Sequence, residues 1–371
     1  MRILFWLSLV GVTYGSLYPF NFVARGPGDI DWIEALSVNS AFDMVNNVIL
    51  FLPIGVCARL IANGFGKTWR RYVAIALAIA ILAQVGQVFV PSRYPGVLDV
   101  LMNGAGLFLG GWLASLLILR LKRSPAPRYV ESEWVVPVVL IVAFLTFQLN
   151  PHVPALDWPH LKASARQVMY QYRSFQPMMI VTGFALWFPL MVLFMPMVRR
   201  MEWRIIFLFL APVIFFARVL VWGNAPSPWE FVGAFIGVGL YLVMIGRSYT
   251  SHVALICVIL AIAIEGLLPA FPRQMAQPFS WVPFDWQWQS PRQYFLLVIT
   301  KKVFLFGAMI YFARELHIRP RSILGLGVPG LLAIEYYQIH FVSGRPEITD
   351  PILFAMLAAS VFFISRPRDN L

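Results

Sequence analysis

An amide, a guanidinium and a carboxylate recur in the same order near both ends of this chain. Gln84 and Gln87 are followed by Arg93, Asp99 and Asn103, and Glu335 and Gln338 by Arg345 and Asp350. Gln87 to Asp99 and Gln338 to Asp350 each span twelve residues. The chemistry such a set could do is specific. A guanidinium fork suits a phosphate or carboxylate. A carboxyl such as Glu335, raised in pKa by burial, could act as general acid or base. The same residues could equally build an architectural joint. Arg93 can reach Asp99 and Arg345 can reach Asp350 as ion pairs, and an acid at a helix start is favoured by the helix dipole. Both readings, site and joint, stay open on the residues alone.

The elements that must position this set are apolar helices. Of the 371 residues, 60% are hydrophobic and 12% charged, with a mean hydropathy of +0.73. A membrane span needs about 20 apolar residues, and the chain contains many such runs. The sequence predicts an all-α, polytopic transmembrane helical bundle of about twelve spans. In each hairpin an apolar span ends at the glutamine, a short polar loop carries the arginine, and the acid opens the next span. The segment Ile3–Phe20 is expected to be a retained first span, without a small-x-small cleavage pattern before Tyr18. Residues between Asn150 and Gln176 are expected to form a loop.

Net charge +12 does not point to nucleic acid. Basic clusters fall after every second span, as expected for cytoplasmic loops. Both termini are therefore expected on the cytoplasmic side, and both polar hairpins on the other. Cys57 and Cys257 lie within apolar runs and suit neither a disulfide framework nor a metal site. No metalloprotease, phosphate-loop or serine-hydrolase pattern is present. No cofactor or metal is expected, and no catalytic residue is assigned.

Lys301 and Lys302 are a separate signal. At about 1.5 Å per residue they lie roughly 10 Å below the outer end of their span. A charge at bilayer depth costs roughly 2.5–3.5 kcal/mol. Lys302 is expected to face the bundle interior and a carboxylate such as Glu335.

The pattern also repeats at long range. Pro19, Pro151 and Pro269 are separated by 132 and 118 residues, and Asp99, Glu230 and Asp350 by 131 and 120. Three parallel four-helix repeats are expected, over 1–128, 129–249 and 250–371, the middle one diverged. At these offsets Arg218 stands where the others have Gln87 and Gln338. Glycines 104, 106, 110 and 111, and 233, 237 and 239, predict close helix packing.

The first repeat resembles the VanZ-like family of integral membrane proteins. The residues that carry the resemblance are the run Asn47 to Gly55 (NVILFLPIG), then Gln84, Gln87, Arg93, Asp99, Asn103 and Gly106. The family pattern usually has Glu where Gln84 stands. The last repeat looks like a second copy. It departs at Lys302, which aligns with Asn47, and between Ala355 and Ala359, where the Asn and Gly are missing. The resemblance implies a bacterial cytoplasmic-membrane location and a cell-envelope role, with a link to glycopeptide (teicoplanin) resistance. It leaves the biochemical activity open.

The substrate-binding set expected from both lines is Asn47, Gln84, Gln87, Arg93, Asp99, Asn103, Lys302, Glu335, Gln338, Arg345 and Asp350. Its ligand is expected to be a membrane lipid or a phosphate- or isoprenoid-linked glycan precursor at the extracytoplasmic face. The alternatives are an assembly partner of an envelope export machine, and a membrane enzyme acting on a lipid-linked substrate.

Overall fold

The computed structural model describes residues 2–17, 20–24, 41–62, 64–91, 96–122, 135–150, 158–194, 209–268, 270–289, 292–341 and 344–364. Fourteen helices form among them: α1 Arg2–Leu17, α2 Ala41–Ala62, α3 Lys67–Gln87, α4 Val97–Lys122, α5 Val135–Gln148, α6 Trp158–Arg173, α7 Pro177–Phe194, α8 Leu210–Val219, α9 Pro228–Met244, α10 Thr250–Leu267, α11 Asp285–Gln289, α12 Arg292–Glu315, α13 Pro320–Gln338 and α14 Thr349–Ile364. Among the described residues β-structure is limited to isolated bridges, Pro272 with Phe341 and Ser280 with Glu347. This is an all-helical membrane protein. Five helices are long and apolar enough to cross a membrane: Lys67–Gln87, Val97–Leu116, Pro177–Phe194, Thr250–Leu267 and Tyr294–Glu315. Five shorter apolar helices accompany them. Large apolar side chains stand exposed along these helices, with Leu82 67%, Val243 75% and Phe216 67% exposed. A helix that is apolar on its outward face suits lipid rather than water.

Contacts divide the chain into two compact units, Met1–Val130 and Glu131–Leu371. The first packs α1 to α4 around Phe5, Leu9, Phe51, Ile54, Trp69 and Leu107. The second has an aromatic core that includes Phe144, Trp187, Phe188, Phe304, Phe312 and Phe354. Phe144 meets Trp187 and Phe304 edge-on, with ring centroids 5.3 and 5.0 Å apart, the geometry aromatic quadrupoles favour.

Helix starts follow from local chemistry. Proline opens α9 and α13, where its missing N–H would have had no intrahelical partner. Acids occupy the first turns of α4 (Asp99), α9 (Glu230) and α14 (Asp350), where the dipole favours them.

Close approach of helices explains some of the glycines. Gly106 and Gly110 of α4 face the backbone carbonyls of Val48 and Leu52 on α2, and Gly55 of α2 faces that of Leu107. In the second unit Gly183 and Gly233 do the same between α7 and α9. Two of the expected packing glycines do not: Gly239 has nothing within 4 Å, and Gly104 meets only the Leu77 side chain at 3.6 Å. Both point away from the tight seam.

The expected loop before Gln176 is instead helical over Trp158–Arg173. Lys162, Arg166 and Arg173 interrupt the apolar run, so it falls short of a span. Trp158, Leu161, Ala165, Val168, Met169 and Tyr172 nevertheless recur at helical spacing. Trp158 and Tyr170 are each 75% exposed, as expected for a helix lying at an interface. Its C-terminal end is held by Trp229, whose indole Nε1 donates to the carbonyls of Ser174 (2.7 Å) and Gln171 (3.2 Å). The Trp229 ring stacks on Tyr172 at 5.7 Å. Trp229→Phe keeps the stacking and removes both hydrogen bonds. It is expected to cost about 1 kcal/mol and to speed hydrogen exchange at the C-terminal end of α6 while leaving α9 unchanged.

Candidate functional site

In the first unit the set converges on Asp99 at the start of α4. Asn47 Nδ2, from α2, donates to Asp99 Oδ1 at 2.6 Å. Gln84 Nε2, near the end of α3, approaches Asp99 Oδ2 at 3.4 Å, and Gln84 Oε1 accepts the Gly96 N–H at 3.1 Å. Gln87 turns elsewhere and donates to the Ser16 carbonyl at the end of α1, 3.0 Å away. Asn103, one turn after Asp99, is 6% exposed, and its Oδ1 is buried without a hydrogen-bond partner. Arg93 lies outside the described residues.

The hairpin end of the second unit has the same frame with more charge. Lys302 of α12 forms an ion pair with Asp350 at the start of α14. Glu335 Oε2 accepts the Glu347 N–H at 2.9 Å, as Gln84 accepts from Gly96. Gln338 donates to the Gly266 carbonyl at the end of α10 at 3.0 Å, as Gln87 does to Ser16. Lys301 points away from this cluster and pairs with Glu265 at 3.0 Å.

Two pairings expected from the sequence are corrected. Lys302 takes Asp350 rather than Glu335 as its partner, because Glu335 is already committed to the hairpin backbone. Arg345 does not pair with Asp350, which Lys302 occupies. Its guanidinium lies over the Trp286 ring, 3.1 Å from the centroid, a cation–π contact. Arg345 is exposed, and among the described residues no carboxylate pairs with it.

Between these sites in sequence, Arg218 of α8 donates through one nitrogen to both oxygens of Glu230, at 3.0 and 2.9 Å. It also donates through Nε to Asn224 at 3.1 Å. Asn224 in turn donates to the carbonyls of Gln148 and Asn150 at the end of α5, both at 2.8 Å. The link from the acid-opened helix back to an earlier helix end is thus made here by an ion pair and an amide.

Residues 4–119 match the VanZ/LLP1 family model. That segment is a VanZ-like domain. Neither the curated proteins nor the solved structures gave a match to the chain. All the first-unit site residues above fall within the VanZ-like domain. The cleft in this domain that opens among Trp6, Lys67, Thr68, Arg71, Tyr72 and Ile75, about 450 Å³ in volume, lies at the opposite end of α3 from Gln84 and Gln87.

Several residues outside the expected set complete the second hairpin. Arg273 caps the C-terminus of α13, donating through Nε to the carbonyls of Gln338 (3.1 Å) and Phe341 (3.0 Å) and through its other nitrogen to Gly344. Those carbonyls would otherwise be orphaned at the helix end. Gln287 of α11 donates to Glu347. Phe284 N–H donates to the Thr349 hydroxyl at 2.7 Å. Ser280 and Ile348 exchange backbone bonds with the same loop, Ser280 N to Pro346 O at 2.9 Å and Ile348 N to Ser280 O at 3.0 Å. One signal for Glu347 was available in sequence. It stands twelve residues after Glu335, as Gly96 stands twelve after Gln84.

Proposed function

We propose that this membrane protein binds, and helps to move, a cell-envelope lipid or glycan precursor through a phosphate-bearing headgroup at its hairpin face. The observation that carries this reading is Arg345. Its guanidinium plane is held by Trp286 while the N–H edges are exposed and carry no carboxylate among the described residues. A stacked guanidinium is pre-oriented, and its free edge matches a phosphate in a bidentate fork. The VanZ-like domain and the membrane-crossing helices are consistent with an envelope role in a cytoplasmic membrane. The positive-inside pattern supports a hairpin face directed outward. Recurrence of corresponding bonds at similar separations supports reading 1–128 and 250–371 as copies of one four-helix unit, with 129–249 diverged.

The test is mass spectrometry of lipids retained by the gently solubilised protein, wild type against Arg345→Ala. A phosphate-bearing lipid carried by the wild type is expected to fall at least about tenfold in the variant, the loss of one charge-assisted fork. Equal retention of bulk phospholipid alone by both proteins overturns the reading.

A second reading has its own observation. Gln87, Gln338, Gln84 and Glu335 all spend their hydrogen bonds inside the chain. This favours a scaffold whose hairpins are locked for assembly with an envelope export machine.

A further inference from the structure

Gln287 and Glu347 are each 3% exposed. The Gln287 amide nitrogen donates to Glu347 Oε1, yet Gln287 Oε1 and Glu347 Oε2 are both buried without a hydrogen-bond partner. An ionised carboxylate offers acceptors only, so an anionic Glu347 cannot serve the Gln287 carbonyl. The two planar groups are already joined by one bond, so a single hydrogen between the two unserved oxygens would serve both. Buried polar atoms without partners are rare and costly.

We infer that Glu347 holds a proton on Oε2 and donates it to Gln287 Oε1, closing a cyclic acid–amide pair. One O–H bond forms, the proton comes from solvent, and both orphaned oxygens are satisfied at once. The inference is independent of the lipid reading.

Burial is what favours the neutral acid, and the charges around it are few and mostly acidic. Helix α12 brings Lys302, already paired with Asp350 of α14. Helix α13 brings Glu335, whose oxygen accepts the Glu347 N–H. Helix α11 brings Asp285, which accepts from the Ser280 hydroxyl at 3.3 Å. Lys302 is thus the one ammonium among Glu335, Glu347 and Asp350 in this described cluster, and a proton on Glu347 removes one unmatched negative charge. Burial raises the Glu347 carboxyl above its ordinary value of 4.5. The Gln287 amide, Lys302 and the Thr349 hydroxyl favour the anion, and Asp350 opposes it.

The pair is a latch. Glu347 bridges to Ser280, and the bonds of Ser280, Phe284 and Ile348 flank it. A carboxyl raised on folding contributes stability that is fully present below its unfolded pKa and lost as pH rises through the folded pKa. The latch is therefore closed in acid and loosens toward alkaline pH.

Glu347→Gln tests this, because glutamine copies the protonated acid: its amide donates to Gln287 Oε1 and its carbonyl accepts from Gln287 Nε2. Thermal unfolding and hydrogen exchange at Ser280, Phe284 and Ile348 are compared in the full chain, wild type against E347Q, from about pH 4 to about pH 9. The two proteins are expected to match in acid. Between the unfolded and the folded pKa, wild-type stability is expected to fall about tenfold in folding constant per pH unit relative to E347Q and to level off above the folded pKa, with faster exchange at the three amides. The infrared difference spectrum of wild type minus E347Q is expected to show the band of one protonated carboxylic acid in acid. A constant wild-type-to-E347Q ratio across the range, a less stable or unfolded E347Q, or an acid band of equal intensity in both proteins would each overturn the inference.

Discussion

Lys302→Ala is expected to destabilise the hairpin end of the second unit by about 3–5 kcal/mol, the cost of leaving one member of a buried pair without its partner. The Lys302 and Asp350 side chains are only 16% and 15% exposed, and removing the ammonium leaves Asp350 beside Glu335 and Glu347 with no positive charge among them. Asp350 also opens α14, so its loss of a partner reaches the α12–α14 contact directly. The measurement is the thermal unfolding midpoint and monodispersity of the solubilised protein. Lys302→Met with Asp350→Leu supplies the control. Replacing both partners by apolar residues of similar size is often neutral or stabilising, so the double variant is expected to regain most of the loss. In the first unit Asn47 holds Asp99 with one hydrogen bond, and Asn47→Ala is a milder change of about 1.5–3 kcal/mol. A Lys302→Ala protein as stable as the wild type would mean that the acids around Asp350 share a proton instead of relying on the lysine.

The long apolar runs made the helices legible, because crossing a bilayer demands length and composition that nothing else in the chain imitates. The inward-facing burial of Lys302 was legible for the same reason, by counting residues from the span end. Its partner was not. Asp350 lies only five residues after Arg345, and linear proximity favours the arginine. The fold instead brings Lys302 from 48 residues away and leaves Arg345 to Trp286. Glu347 was illegible as a buried group because an acid in a short polar loop reads as solvated. It is buried by α11 and the Ser280 segment, which come from about 60 residues earlier. Helix α6 was missed because its basic residues break the apolar run, while the period of its apolar positions was the signal that survived.

Gly110→Leu is expected to prevent the first unit from packing. A Cβ at Gly110 would overlap the Leu52 carbonyl, and one at Gly106 the Val48 carbonyl. The obstacle is backbone in both cases, so no rotamer change relieves it and α2 and α4 must separate. Overpacking a core costs typically about 1–3 kcal/mol and occasionally more. The upper end applies here, since separating the helices also breaks the Asn47–Asp99 bond about three turns back along α4 on the same seam. Size-exclusion profile and thermal midpoint of the solubilised protein check this, and near-wild-type behaviour of Gly110→Leu would disprove the close seam. Gly239→Leu is the matched control, with nothing within 4 Å of the added Cβ, and is expected to leave stability within about 0.5 kcal/mol. The control also separates the two functional readings. Gly239 faces outward on α9, so a leucine there disturbs only something seated against that face. If Gly239→Leu folds normally and loses function in cells while Arg345→Ala does not, the glycine face meets a partner and the assembly reading takes precedence. If Arg345→Ala is the damaging change and Gly239→Leu is silent, the headgroup reading holds, because the guanidinium then matters where packing does not.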